Sequence, residues 1–286
     1  MKSIGYYNGS YSELGSMYVP MNDRVCAFGD GVYDAAYCYN GRIFAFDEHL
    51  DRFFASAQLI GLNIEETKED ISNIIYYLIN QVEEDKLFVY WQATRGTQPR
   101  EHVFDDGIKA NIWIMIKPSE LRSMERPAKV MLCEDKRHHM CNVKTLNLLP
   151  NVIALKEADR KGLDEVIFHR NRRITECGHS NVSVLSNGTL ITPPADELIL
   201  AGIGRAHLMK KCKELGIPCV EKEFFIEDLL SADEIIMTAA GSLCIDVGEI
   251  NGKAVGGKDC KRLSLIRNAL IKEFCDYTGA EIKLNR

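Results

Sequence analysis

The chain has 286 residues, 46% of them hydrophobic, so it is long enough to bury one large core or two smaller ones. Its 35 basic and 41 acidic side chains give a net charge of −6, which argues against broad affinity for nucleic acid or for an anionic membrane. The longest wholly apolar runs are much shorter than the roughly 20 residues that cross a bilayer, so we expect no transmembrane helix.

The N-terminal segment and the cysteines bear on the cellular compartment. The segment MKSIGYYNGS has no apolar stretch after its lysine and does not resemble a secretory signal. Ten cysteines in such a chain predict reduced thiols, and we therefore expect a cytoplasmic protein. No metal site is predicted, because the chain has no C-x-x-C and its densest group of cysteines and histidines lacks a usual zinc spacing. That group comprises Cys133, His138, His139 and Cys141.

The first part of the chain mixes strand and helix patterns. An Asn40–Gly41 turn precedes a predicted strand over 41–46. Asp47 is typical of an N-cap and predicts an amphipathic helix over 48–62. A second amphipathic helix and two strands rich in aromatic and β-branched residues follow. They are predicted over 70–83, 87–94 and 110–116.

The second part of the chain begins after a polar stretch bounded by prolines, KPSELRSMERP at 117–127, which is the best candidate for a linker. We predict an N-terminal α/β domain over 1–118, a linker over 119–127 and a C-terminal domain over 128–286. Short strands and helices alternate in the C-terminal part, so the chain as a whole has a mixed α/β fold. The predicted helices there are 151–161, 205–215 and 263–277, and the predicted strands are 129–133, 165–169, 182–186, 190–192 and 235–238, with Ile174 in a further strand.

Lys144 is the only charged residue between Val143 and Leu155. An amine in apolar surroundings has a lowered pKa, and a neutral amine can form a Schiff base with a carbonyl group. The same pattern fits a lysine at a helix start whose stem is buried and whose head reaches water. The local pattern alone favours this second interpretation.

Three other patterns are weak when taken singly. Glu176 ends a β-rich stretch and could hold a proton on a ring nitrogen, or it could cap a turn. In extended backbone after Pro99, Arg100 and His102 would point the same way and bind one anion, although the loop could equally be an exposed charged one. The glycines of segment 201–205 open a helix whose free N–H groups suit a phosphate, or they serve a plain turn.

Five ordered segments carry a resemblance that no single pattern does. They are DRVCAFGDGVYD (23–34), NGRIFAFDEHLDR (40–52), TRGTQPREH (94–102), VKTLNLL (143–149) and ITECGHSNV (174–182). From about Asp23 to Ile250 the chain resembles the class IV aminotransferases, most of all the branch that acts on D-amino acids. The resemblance implies fold type IV, in which a small N-terminal α/β domain and a larger C-terminal α/β domain with a pseudo-barrel bind pyridoxal 5′-phosphate. It also implies a homodimer.

The resemblance assigns the cofactor-binding residues position by position. Lys144 matches the lysine that forms the Schiff base, and Glu176 matches the carboxylate partner of the pyridine nitrogen. Arg52 matches the arginine that binds the phosphate. Ile203 and Gly204 match the helix start that also binds the phosphate.

The chain departs from the family at several of these places. His179 stands where a serine is usual, and Gly204 and Gly241 stand where hydroxyl residues would bind phosphate. We expect backbone N–H groups and the hydroxyls of Ser180 and Ser242 to compensate.

The family resemblance also implies the substrate site and the reaction. The substrate carboxylate is expected to bind Tyr33, Arg100 and His102. The implied activity moves an amino group between a D-amino acid such as D-alanine and a 2-oxo acid in a ping-pong cycle, with Lys144 as the base at Cα. The expected partners are therefore small molecules, and neither nucleic acid nor membrane.

Two alternatives share the fold and the lysine. They are a branched-chain L-amino acid aminotransferase and a 4-amino-4-deoxychorismate lyase. Lys144 and Glu176 do not separate these activities from the first, whereas Arg100 and His102 favour the D-amino acid branch over the branched-chain one.

Overall fold

The computed structural model describes residues 1–282, which form two compact units. The first unit contains Met1–Glu120 together with two short segments, Val143–Asn147 and Tyr277–Ala280. The second contains Leu121–Asn142 and Leu148–Asp276. Within residues 1–282, no helix has both the length and the apolar character that a membrane crossing requires.

The first unit is built on a six-stranded antiparallel sheet. Its strands are β1 (Ile4–Tyr7), β2 (Ser10–Glu13), β3 (Gly31–Tyr39), β4 (Arg42–Ile43), β5 (Lys86–Thr94) and β6 (Asn111–Pro118), in the order β2-β1-β6-β5-β3-β4. Its helices are α1 (Arg24–Phe28), α2 (Phe46–Leu59) and α3 (Lys68–Ile79), with a 3-10 turn at Leu14–Ser16. The core lies between one sheet face and the apolar sides of α2 and α3, where Phe53, Ile75 and Trp91 are fully buried.

The start of α2 differs from the prediction. The Asn40–Gly41 turn is confirmed, with φ of 50° and 72°. However, the helix begins at Phe46, and the N-cap position belongs to Ala45 in the left-handed region, with φ of 53°. The predicted N-cap at Asp47 is therefore wrong. Asp47 lies in the first helical turn instead, where its negative charge favours the helix dipole.

The second unit is built on a nine-stranded mixed sheet. The strands are β7 (Ala128–Glu134), β8 (Glu165–Arg170), β9 (Arg173–Cys177), β10 (Asn181–Ser186), β11 (Thr189–Thr192), β12 (Cys219–Glu221), β13 (Glu234–Thr238), β14 (Ile245–Ile250) and β15 (Lys253–Ala254). The order is β12-β11-β10-β13-β14-β7-β8-β9, with β15 beside β14. The terminal strand β9 also contacts β10, so the sheet curls on itself as the expected pseudo-barrel requires. The helices are α4 (Leu149–Arg160), α5 (Ile203–Glu214), α6 (Ile226–Ser231) and α7 (Cys260–Thr278).

The two units differ from the predicted domains in the placement of the segment that contains Lys144. The first long segment ends at Glu120, inside the predicted linker of 119–127. The prediction assigned Lys144 to a C-terminal domain over 128–286, whereas Val143–Asn147 packs with the first unit. The physical reason is that this segment pairs with the exposed edge of β3, so chain order and spatial grouping diverge there.

Candidate active site

The main chain of Lys144 is fixed on both sides. Strand β4 covers only the far end of β3, so the near end is open and Val32 forms an antiparallel bridge with Thr145. The N–H of Tyr33 donates to the carbonyl oxygen of Lys144 at 2.9 Å. The N–H of Lys144 donates to the hydroxyl of Ser56 on α2 at 3.1 Å. These bonds orient the side chain, whose Nζ lies 4.3 Å from the ring centroid of Tyr33.

Tyr33 belongs to an aromatic and polar row on the same sheet face. Its ring stacks on that of Tyr90 with centroids 5.4 Å apart, because the two lie on neighbouring strands. The hydroxyl of Tyr90 donates to Oε1 of Gln92 at 2.7 Å. Burial raises the pKa of Tyr90, so this phenol stays neutral and keeps its hydrogen bond. The sequence analysis did not identify Tyr90 and Gln92. Their spacing of two residues on the predicted strand would have placed them on the same sheet face.

Arg52 is held by a buried carboxylate. Asp34 on β3 is fully buried, and its two oxygens accept hydrogen bonds from Nε and Nη2 of Arg52 at 2.9 and 2.7 Å. Nδ1 of His49 lies 2.8 Å from the same carboxylate. Burial alone would raise the pKa of Asp34, but the charge of Arg52 and the bonds from both partners hold it well below its usual range. The guanidinium therefore has a fixed orientation.

Arg100 and His102 lie in an exposed loop whose backbone is bent. The guanidinium carbon of Arg100 is 5.1 Å from the ring centroid of Phe28, and the ring of His102 is 5.2 Å from the same centroid. Both side chains thus lie against the ring of Phe28, but from a bent backbone and not from the extended one that the sequence predicts. Nη1 of Arg24 donates to the carbonyl of Glu101 at 2.6 Å and holds the loop between them.

In the second unit, Glu176 ends β9 and is 6% exposed. Its Oε2 accepts from Nδ2 of Asn181 at 3.0 Å and from the N–H of Leu200 at 3.1 Å. Its Oε1 is paired with the guanidinium of Arg137, which also binds Asp135. Burial would lower the pKa of Arg137, but these two carboxylates raise it above its ordinary value. The sequence reasoning missed Arg137, since one cation in a polar loop gives no signal.

The start of α5 lies close to the end of β13. Gly202 is its N-cap, no side chain of the described residues caps it, and Ile203 and Gly204 are its first residues. A Cβ on Gly204 would meet Thr238 and the N–H of Ala239 at 3.3 Å, so α5 approaches this strand closely. The hydroxyl of Thr238 is buried and has no hydrogen-bond partner within residues 1–282. Exposed helical N–H groups and an unpaired hydroxyl are suitable ligands for a phosphate.

The two serines named from the sequence lie in different surroundings. The hydroxyl of Ser180 donates to Oε2 of the buried Glu165 at 3.3 Å, and Nδ1 of His179 lies 2.5 Å from the same oxygen. Ser242 follows the end of β13, and its N–H donates to the carbonyl of Ala239 at 3.2 Å. Ser242 therefore stands in the loop next to the unpaired Thr238 hydroxyl, whereas Ser180 is occupied by a carboxylate. Gly241 lies in that loop as well, and its carbonyl accepts from the N–H of Arg122 at 2.8 Å.

Each unit, taken by itself, carries groups that suit part of pyridoxal phosphate. The first unit supplies an oriented amine, from Lys144, and an arginine held by a carboxylate. The second supplies the buried carboxylate of Glu176 and the helix start with its unpaired hydroxyl. An aldehyde, a pyridine nitrogen and a phosphate need groups of these kinds.

Comparison with known proteins agrees with this chemistry. The family model for amino-transferase class IV matches residues 31–250. A D-alanine aminotransferase of Listeria monocytogenes is 37% identical over 242 residues, which are 83% of this chain and 84% of that protein. A D-alanine aminotransferase of Bacillus licheniformis is 32% identical over 252 residues, 87% of this chain and 89% of that protein.

Among solved structures, the branched-chain aminotransferase of Thermoproteus uzoniensis crystallised with norvaline has the same fold. It superposes with a TM-score of 0.87 at 22% identity, covering 97% of this chain and 95% of that chain. The expected fold type IV architecture is thereby confirmed. The chain belongs to the class IV aminotransferases, enzymes that depend on pyridoxal phosphate.

Proposed function

We propose that this transaminase moves an amino group between a D-amino acid such as D-alanine and a 2-oxo acid. The observation that carries the proposal is the oriented amine of Lys144, 4.3 Å from the ring centroid of Tyr33. The substrate class is supported by relatives that are D-alanine aminotransferases, at 37% identity over 83% of this chain in one case.

The roles of the chain's residues follow from their chemistry. When bound, pyridoxal phosphate supplies a carbonyl carbon for the amino group and a ring that accepts the electron pair left at Cα. Lys144 would hold the cofactor through Nζ and would serve as the base that takes the proton from the substrate Cα. Glu176 would keep a proton on the ring nitrogen. Arg52, Ile203 and Gly204 would bind the phosphate.

We assign the substrate carboxylate to Tyr33, Arg100 and His102. The planar guanidinium of Arg100 can donate two parallel hydrogen bonds to a carboxylate, which sets orientation as well as affinity. A carboxylate held on that side directs the Cα proton of the D-enantiomer towards Lys144. The stereochemical preference thus rests on where the carboxylate binds.

The activity can be tested with three substrates on the purified yellow holoenzyme. D-Alanine should bleach the visible band of the cofactor and release pyruvate, and 2-oxoglutarate should then restore the band. A response to L-leucine alone would identify a branched-chain L-aminotransferase, and turnover of 4-amino-4-deoxychorismate alone would identify a lyase. Borohydride reduction followed by peptide mapping should label Lys144, and a label elsewhere would contradict the whole assignment.

We also propose a cytoplasmic homodimer with 2-oxo acids and amino acids as its partners. The family resemblance supports the dimer, and multi-angle light scattering of the holoenzyme measures it. All ten cysteines are free, in keeping with a reducing compartment.

A further inference from the structure

One amide side chain contacts both ends of the cofactor-binding region in the second unit. Asn181, the first residue of β10, is 5% exposed. Its Nδ2 donates to Oε2 of Glu176 at 3.0 Å and to the carbonyl of Leu200 at 2.9 Å. Its Oδ1 faces Gly202, the N-cap of α5, where an added Cβ would lie 1.8 Å away.

The orientation of this amide is determined by its partners. A carboxylate and a backbone carbonyl can only accept hydrogen bonds, so both must face the NH₂ group of Asn181. A flipped amide would direct its oxygen at two acceptors. Leu200 also donates its own N–H to Oε2 of Glu176 at 3.1 Å, which closes a ring of three hydrogen bonds.

Gly202 is required for space and not for backbone conformation. Its φ of −72° and ψ of 136° are accessible to any L-residue. A Cβ at this position is excluded by the oxygen of Asn181, which it would approach to 1.8 Å. The amide therefore sets how closely the helix start can approach β10.

We propose that Asn181 is a positioning residue that fixes the separation between Glu176, at the ring-nitrogen end of the cofactor, and the start of α5, at its phosphate end. This rests on the proposed roles of those two groups in cofactor binding. A rigid cofactor is bound well only when both ends are held at a fixed separation, so one side chain in contact with both has a direct effect on affinity. Thr238, with its unpaired hydroxyl, is the cross-strand partner of Asn181 and lies at the same place.

The test uses inorganic phosphate and the cofactor as separate probes, without any substrate. Asn181→Ala should weaken inorganic phosphate binding to the apoprotein about tenfold, because the start of α5 loses its support. Glu176→Gln should shift the absorption of the bound cofactor, because it changes the group at the ring-nitrogen end. The matched control is Asn151→Ala, since Asn151 is buried and donates to Gly178 but is not bonded to either end.

A second pair of variants tests the steric contact between Asn181 and Gly202. Gly202→Ala alone should lose at least tenfold in affinity for pyridoxal phosphate, and the double variant with Asn181→Ala should lose less than the product of the two single losses, because the clashing oxygen is removed. If Asn181→Ala does not fold, Asn181→Ser replaces it with the same expected direction.

The outcomes separate the two proposals. Wild-type phosphate affinity in folded Asn181→Ala, or an equal loss in Asn151→Ala, would overturn the positioning role. Additive effects of Gly202→Ala and Asn181→Ala would overturn the steric coupling. A failure of D-alanine to react contradicts only the proposed activity, because neither binding measurement contains an amino acid.

Discussion

At the scale of single residues, one buried and unpaired hydroxyl beside the start of α5 suggests where a ligand could bind. The hydroxyl of Thr238 is buried beside the start of α5 with no partner among residues 1–282. Leaving a buried hydroxyl unpaired costs about 1–3 kcal/mol, so its retention needs a reason. A phosphate oxygen that completes its hydrogen bonding provides one.

Thr238→Val tests whether this hydroxyl binds the phosphate, because it should change the stability of the apoprotein and the affinity for pyridoxal phosphate in opposite directions. Valine keeps the shape and removes the unpaired hydroxyl, so the apoprotein should unfold at equal or higher urea concentration. The dissociation constant for pyridoxal phosphate should rise about tenfold, because one hydrogen bond to a charged group is lost. The control is Thr175→Val, whose hydroxyl donates to Asp135 at 3.1 Å and whose loss should destabilise the apoprotein. An unchanged dissociation constant in Thr238→Val would remove the hydroxyl from the phosphate site.

At the scale of elements, β3 and α2 together orient the first unit's functional groups. The inward positions of β3 carry Val32, Asp34, Ala36 and Cys38, and this buried carboxylate pairs with Arg52 on α2. Because a charge interrupts the apolar alternation, the sequence reasoning did not predict β3 as a strand. The same charged residue, Asp34, is the one that binds Arg52 on α2.

Asp34→Asn should lower both the stability of the protein and its affinity for pyridoxal phosphate. It removes the buried charge of Asp34, to which the largely buried cation of Arg52 is bonded, and this costs about 3–5 kcal/mol of folding free energy. The affinity for pyridoxal phosphate should fall about tenfold as the guanidinium loses its orientation. The matched control on α2 is Asp51→Asn, since Asp51 forms an exposed pair with Lys68 that is worth at most about 1 kcal/mol. Urea unfolding and equilibrium dialysis measure both effects, and equal results for the two variants would contradict this role.

At the scale of the whole molecule, buried ionisable groups set the response to acid. Burial would raise the pKa of Asp34 and of Asp135, but their arginine partners lower both. Burial lowers the pKa of His49. In each case the folded protein binds fewer protons than the unfolded chain, so stability is lost as pH falls.

We expect the urea midpoint to be steady above about pH 7, to decline below about pH 6.5 as unfolded histidine takes up protons, and to fall steeply below about pH 4. Asp34→Asn should show a smaller fall below pH 4 than the wild type, since one of the coupled carboxylates is absent. A midpoint independent of pH between 7 and 3 would contradict this account.

The sequence by itself determined most of the element types, the family and the residue types of the candidate site. Local patterns sufficed where one physical signal dominated, as in the Asn40–Gly41 turn and the apolar face of α2. Five ordered segments were enough to recognise the family, because the chemistry of a cofactor site requires particular residue types at particular positions.

Only the tertiary structure determined the contacts between residues that are far apart in the chain. It placed Lys144 with the first unit, because the segment pairs with an edge of β3 that only the sheet order leaves open. It also brought Asp34, Arg137, Asn181 and Thr238 together with partners that lie between 5 and 57 positions away in the chain. A linear pattern contains neither burial nor pairing, and those two quantities determine which polar side chains are held in place and which are left for a ligand.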